Sequence, residues 1–182
     1  LNTKLEKNMS IVLTGRIDEK YTRQCLLSIQ RSFFNPKVII SGWESDEKII
    51  SQLAKEFGVQ ECILTPDPGS PLRNPKASRL HNVNRIIISS QNGIREIKTK
   101  YVLRCRADLN FKHSNFIELL EKFATKTLNT KKILVSNITT VDARNGYKML
   151  YHVNDWIHFG ETKAVIDFFN IPLMPDDFCD WY

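Results

Sequence analysis

Short apolar runs alternate along this chain with stretches in which apolar residues recur every three or four positions. That alternation predicts the order of the elements. Ser10-Ile11-Val12-Leu13 reads as a buried strand. Cys25, Leu26, Ile29 and Phe33 recur at helical spacing and predict a helix over 22–34, stopped by Asn35-Pro36. Val38-Ile39-Ile40 is a second strand, running into Ser41-Gly42-Trp43-Glu44. Ser45 is the expected N-cap of a helix carrying Ile49, Ile50, Leu53 and Phe57, with Gly58 as its stop. Residues 59–64 give a third strand, which enters a breaker-rich loop from Thr65 to Pro71. Such a rhythm implies right-handed βαβ units and a parallel sheet.

A longer helix is expected from Ser78 or Arg79 to Ile97, with Val83, Ile86, Ile87 and Ile94 as its apolar stripe and Gly93 marking a break near its end. After a fourth strand from Tyr101, a helix with the stripe Phe116, Leu119, Leu120 and Phe123 leads to a strand over 131–135. Residues 148–159 are extended by pattern. Alternation puts Val153, Asp155, Ile157 and Phe159 on one face and His152, Asn154, Trp156 and His158 on the other. Gly160-Glu161-Thr162 opens a last helix through Ala164, Val165, Phe168 and Phe169. The acidic, aromatic tail stops without a closing signal, so a single domain truncated at its C-terminus is expected.

The fourth strand changes character along its length. Tyr101, Val102 and Leu103 are apolar, and then Arg104, Arg106 and Asp108 bring charge. If the chain stays extended, these three share a face, and Cys105, Ala107 and Leu109 share the other. Charge at the end of a buried strand is costly unless it meets something. In open α/β sheets that place is the crevice outside the carboxyl ends of the strands. Two cations and an acid suit a phosphate-bearing ligand, with or without a divalent ion. The competing reading is a surface salt bridge between Arg106 and Asp108 that contributes little. Thr14-Gly15-Arg16 offers a close backbone approach and a charge at the end of the first strand; a plain strand-to-loop turn explains it as well. Asp155 is an acid on the more apolar face, suited to chemistry or to capping backbone amides.

Composition narrows the choices. A chain of 182 residues with 42% hydrophobic and 25% charged residues supports one domain with a real core. The net charge of +6 points to anionic partners: nucleic acid, anionic lipid head groups or phosphorylated substrates. No run of five like charges appears and aromatics are not interleaved with basic residues, which argues against nucleic acid. Cys25, Cys62, Cys105 and Cys179 are far apart, without a C-x-x-C, so zinc and a disulfide framework are not expected. His152 and His158, roughly 20 Å apart along a strand, cannot share a metal. The glycine-rich signatures of dinucleotide-binding enzymes and P-loop NTPases are both missing.

The ordered set Ile11-Val12-Leu13-Thr14-Gly15-Arg16-Ile17, Ile39-Ile40-Ser41-Gly42-Trp43, Asp67-Pro68-Gly69, Asn82-Val83-Asn84-Arg85, Tyr101-Val102-Leu103-Arg104-Cys105-Arg106-Ala107-Asp108 and Asn154-Asp155-Trp156-Ile157-His158-Phe159-Gly160 resembles the WavE lipopolysaccharide-synthesis proteins. The likeness runs from about Ser10 to about Pro172. It implies an α/β, GT-A-like (Rossmann-like) glycosyltransferase with a mostly parallel sheet. The donor would be a nucleotide-diphosphate sugar, and the acceptor a glycan or a lipid-linked sugar. Thr14, Gly15 and Arg16 would lie by the nucleotide, Asp67 near the base or ribose, and Asn84 and Arg85 at the diphosphate-sugar. Arg106-Ala107-Asp108 would occupy the place of an Asp-x-Asp motif, with Asp108 as the ligand of Mg²⁺ or Mn²⁺. Arg106 stands where the first acid is usual, which leaves a metal held by Asp108 alone or an arginine in place of part of the metal's charge. Asp155 is the first choice of general base, Glu161 the second, and Asp176 or Asp177 the third. The site of action implied is cytoplasmic, with peripheral contact to an anionic inner membrane face.

Two other classes compete with glycosyl transfer. One is an inactive GT-A-like module that binds glycans or partners. The other is a nucleotidyltransferase, which would need a glycine-rich loop after the first strand; Thr14-Gly15-Arg16-Ile17 does not supply one.

Overall fold

A computed structural model describes residues 4–69, 82–113, 115–136 and 154–175. Among these, six strands form one sheet: β1 (Met9–Thr14), β2 (Lys37–Trp43), β3 (Glu61–Thr65), β4 (Tyr101–Arg106), β5 (Ile133–Val135) and β6 (Ile157–Glu161). Five helices accompany them: α1 (Glu19–Ser32), α2 (Glu47–Phe57), α3 (Val83–Arg95), α4 (Phe116–Lys126) and α5 (Thr162–Phe169). The strand order is β3-β2-β1-β4-β6-β5. β1 is parallel to both β2 and β4, and β2 to β3. β6 runs antiparallel to β4 and to β5. The expected parallel sheet is present, with an antiparallel extension that the apolar pattern did not announce.

Period-two alternation builds a core on each face. Ile11 and Leu13 of β1 and Leu103 and Cys105 of β4 pack with Leu26 and Ile29 of α1. Val12 and Val102 point the other way, into a cluster with Ile94 of α3 and Val165 and Phe169 of α5. Burial pushes the Cys25 and Cys105 thiols up, so both stay protonated.

Several boundaries differ from the expected ones, for local reasons. α1 begins before the first apolar repeat because Asp18 caps it. Asp18 Oδ1 accepts from the Lys20 and Tyr21 amides, both at 3.0 Å, and Thr22 Oγ1 accepts from the Asp18 amide at 3.0 Å. Such a cap contributes about 1 kcal/mol. Ser45 does not cap α2; residues 44–46 form a 3-10 turn, and Asp46 takes the cap position without a side-chain bond. Leu119 is half exposed, and Ala124 joins Leu120 on the buried side of α4.

Gly93 is no break. It lies inside α3, where an added Cβ would come 2.6 Å from Val12 Cγ1 and 2.9 Å from Ser41 Cβ. The missing side chain is what seats α3 on β1 and β2. Further on, β6 starts only at Ile157, so Asp155 sits in the bend before the strand and not on a strand face. Glu161 ends β6, and α5 begins after it. The expected start of the long helix at Ser78 or Arg79, the extended stretch over 148–153, and His152, Asp176, Asp177 and Cys179 all lie outside the described residues.

Candidate functional site

The chain runs from β1 through α1 to β2 on one side, and returns through α3 to β4 on the other side of β1. Loops leaving β1 and β4 therefore diverge, and a crevice opens at their carboxyl ends. A cavity of about 460 Å³ fills it. Thr14, Gly15 and Arg16 line it from the end of β1, and Trp43, Ser45 and Asp46 from beyond β2. Asp67 follows β3, while Asn82, Arg85 and Ile86 come from the start of α3. Arg104, Arg106, Asp108 and Asp155 close the far side.

Gly15 has φ +98°, a conformation side chains rarely adopt, and it turns the chain away from β1 above the cavity. Thr14 is fully buried, and among the described residues its Oγ1 has no hydrogen-bond partner. Its carbonyl accepts from the Ala107 amide at 2.9 Å, which ties the ends of β1 and β4 together.

Two arginine–aspartate pairs face the space. Arg85 donates from Nε to Asp67 Oδ1 at 2.7 Å and from Nη2 to Oδ2 at 2.6 Å. Arg106 donates from Nε to Asp108 Oδ1 at 2.9 Å and from Nη2 to Oδ2 at 2.6 Å. The hydrogen bonds from Arg85 and Arg106 hold these two carboxyls below the usual carboxylate range. Asp155 Oδ2 lies 3.6 Å from Arg106 Nη1. The strand itself stops at Arg106; Ala107 and Asp108 form a turn that folds the acid back onto the arginine. Arg106 and Asp108 thus do pair, as the simpler reading of this stretch had it, but they do so at the lip of the cavity.

Arg104 is the residue whose role the sequence did not reveal. It is 1% exposed, below Arg106 on the α3–α5 face of the sheet. Nη1 donates to the Asp155 carbonyl and lies 3.5 Å from His158 Nδ1, and the guanidinium rests 5.5 Å from the Phe169 ring centre. Among the described residues its Nε has no hydrogen-bond partner. Burial pulls its pKa down to about 10. Burial, and then the charge of Arg104, pull His158 down to about 3, so the imidazole is neutral. The signal available in the sequence was an arginine at an inward position of an otherwise apolar strand.

Asn84 and Glu161 are not part of the cavity. Asn84 grips the chain after α5, with Nδ2 donating to the Met174 carbonyl at 3.0 Å and Oδ1 accepting from its amide at 2.7 Å. Glu161 stands opposite Tyr101, at the other end of β4 from the cavity, and lies 3.8 Å from Lys100 Nζ. That is roughly 16 Å from Arg106 along the strand. Thr14, Gly15, Arg16, Asp67, Arg85, Arg106, Asp108 and Asp155 do converge.

Mg²⁺ or Mn²⁺ at Asp108 would need that carboxylate released from Arg106, with phosphate oxygens and water completing the shell. Both oxygens of Asp108 and both of Asp67 are engaged by arginine, and among the described residues no group of three His, Cys, Asp or Glu side chains is placed to hold a metal. No helix among the described residues is long and apolar enough to cross a membrane.

A family described as WavE lipopolysaccharide synthesis matches residues 11–180. The chain belongs to the WavE family. No curated protein matches it in sequence. Among solved structures it resembles a cytidylyltransferase from Leptospira borgpetersenii serovar Hardjo-bovis (strain JB197), with 13% identity and a TM-score of 0.57 over 92% of this chain and 66% of that one. It also resembles 4-diphosphocytidyl-2C-methyl-D-erythritol synthase from Anaerococcus prevotii DSM 20548, with 13% identity and a TM-score of 0.51 over 94% of this chain and 82% of that one. At that identity the likeness concerns fold alone. This WavE protein has the Rossmann-like α/β fold of those enzymes, and nothing in the likeness singles out GT-A.

Proposed function

We propose that this WavE chain is a GT-A-like glycosyltransferase. It would move a sugar from a nucleotide-diphosphate-sugar donor to a glycan or lipid-linked acceptor of surface lipopolysaccharide. One observation carries the reading: Arg16, Arg85, Arg104 and Arg106 gather around a single cavity at the switch point of the sheet. Bond cleavage leaves negative charge on the departing diphosphate, and guanidinium groups fixed where that charge develops stabilise it. Thr14, Gly15 and Arg16 take the nucleoside side, with Asp67 beside them. Arg85 and Arg106 take the diphosphate by letting go of Asp67 and Asp108. The arginines bind it without Mg²⁺ or Mn²⁺.

Asp155 is the general base. It accepts the proton of the acceptor hydroxyl as that oxygen bonds to the sugar carbon, while the bond from that carbon to the phosphate oxygen breaks. Arg104 fixes the main chain of Asp155, and the Arg106 amide donates to the next carbonyl, of Trp156, at 3.1 Å. The base is therefore held in place by the residues that meet the leaving group. The net charge of +6 suits work beside an anionic membrane face, where a lipid-linked acceptor would be found.

The fold likeness to a cytidylyltransferase favours nucleotidyl transfer as the second reading. A panel of nucleotide sugars, scored for release of nucleoside diphosphate, separates the two. The expected result is turnover of one donor, with Asp155→Asn lowering kcat roughly 10²- to 10⁴-fold. Donor affinity should stay within about twofold. Consumption of a nucleoside triphosphate with release of pyrophosphate would replace this reading with nucleotidyl transfer. Donor binding without any turnover would make the chain a binding module.

A further inference from the structure

Four arginines and four aspartates line the cavity, yet their charges are not matched one to one. Asp67 is committed to Arg85, and Asp108 to Arg106, each through two hydrogen bonds. The carboxylate of Asp155 approaches Arg106. Asp46 lies beyond the end of β2, with β1 between it and β4. Among the described residues Arg104, the most deeply buried of the four arginines, has no carboxylate within ion-pair distance, and Asp155 acts on it only at longer range. Its direct neighbours are a carbonyl oxygen, a neutral imidazole and an aromatic face.

A guanidinium taken out of water with no carboxylate in direct contact is costly, and an anion that reaches it offsets part of that cost. Arg104 cannot swing to solvent to find one, because the Asp155 carbonyl, His158 and Phe169 hold it on three sides. Among the described residues its Nε–H has no hydrogen-bond partner, the atom itself is buried, and the side chain forms part of the cavity lining. A second feature has the same sign. The 13-residue helix α3 starts at this cavity with no acid in its first turn, and Arg85 projects from that turn. Both favour negative charge at the floor.

The geometry points to Arg104 as an oxyanion-binding residue: its free Nε–H, with the rest of the guanidinium fork, takes a phosphate or carboxylate oxygen of the bound ligand, without a divalent cation. This rests on the donor-binding reading above and adds a requirement to it, that the donor place an anionic group deep against β4. Two parts of a nucleotide sugar could supply that oxygen: the diphosphate bridge, or an acid on the sugar. Arginine's planar fork suits both.

The test uses the ¹⁵N-labelled full chain in EDTA. The Arg104 Nε–H resonance, assigned through bonds, is followed while inorganic pyrophosphate or glucuronate is added to saturation. The expected result is a shifted Arg104 signal, together with a tenfold or greater loss of affinity for the same probe in Arg104→Met. A response to pyrophosphate identifies the diphosphate as the anion; a response to glucuronate alone identifies an acidic sugar. An Arg104 signal unmoved by both probes overturns the proposal, as does an Arg104→Met protein that binds either probe as the wild type does. If Arg104→Met fails to fold, the wild-type resonance still decides. A chain that turns over no nucleotide sugar but shifts its Arg104 signal would refute glycosyl transfer and keep this site. A chain that turns one over with Arg104 silent would do the reverse.

Discussion

Arg106 closes on Asp108 through both edges of one guanidinium, at 2.9 Å and 2.6 Å, across a turn of two residues. A phosphate that needs Arg106 must compete with that carboxylate. Removing the acid's charge therefore helps an anion bind. Asp108→Asn is expected to tighten binding of a nucleoside diphosphate in EDTA about three- to tenfold, since close opposite charges compete at the level of about one kcal/mol at exposed sites. Titration calorimetry checks this. If Asp108 acted instead as a metal ligand, Asp108→Asn would weaken binding in Mn²⁺ and leave binding in EDTA unchanged.

His158 makes the fold sensitive to acid. Its pKa falls from 6.5 to about 3 on folding, because of burial and then Arg104. The unfolded chain takes up a proton below about pH 6.5 while the folded chain refuses it until about pH 3, so stability is full above 6.5 and drains as pH falls. The slope is up to about 1.4 kcal/mol per pH unit. Urea unfolding should show a loss of about 2 kcal/mol between about pH 7 and about pH 5 that His158→Gln largely removes. An equal loss in both proteins would mean that other groups carry the acid sensitivity.

How far the sequence could be read depends on what each inference rested on. Local apolar period placed β1, β2, β4 and the buried stripes of α1 and α2, because burial on one face leaves a direct trace in spacing. It could not show that β6 runs antiparallel, since direction depends on the connection before it. Two residues named as site candidates lie away from the cavity. Asn84 adjoins Arg85, but successive helix residues point roughly 100° apart, and only Arg85 reaches the cavity. Glu161 follows Asp155 by six residues, yet β6 carries it to the opposite end of the sheet. Arg104 looked like one of three strand-end charges; its full burial is a property of α5 packing over it.

The two Asn84 hydrogen bonds predict a stability effect without a binding effect. Asn84→Ala removes both bonds to Met174 in a half-buried setting and should cost about 1–3 kcal/mol. For a chain of this size that is roughly 2–10 °C in Tm. Donor affinity should stay within about twofold, because Asn84 does not line the cavity. A large loss of affinity at unchanged Tm would return Asn84 to the binding site.

Gly93 links packing to the site. Val12, which an alanine Cβ would meet at 2.6 Å, is fully buried in the middle of β1, and Ser41 on β2 is equally enclosed. Neither can step aside, so α3 must lift. Overpacking of this kind costs about 1–3 kcal/mol. Alanine returns about 1 kcal/mol through its better helix propensity, which leaves a net loss of up to about 2 kcal/mol. Because α3 also presents Arg85 to the cavity, Gly93→Ala should weaken nucleotide binding as well, and restoring solvent conditions that raise stability should not rescue it. Paired thermal unfolding and binding measurements decide the point. A Gly93→Ala protein as stable as the wild type would mean that the close seating of α3 on β1 and β2 is not what holds Arg85 at the cavity.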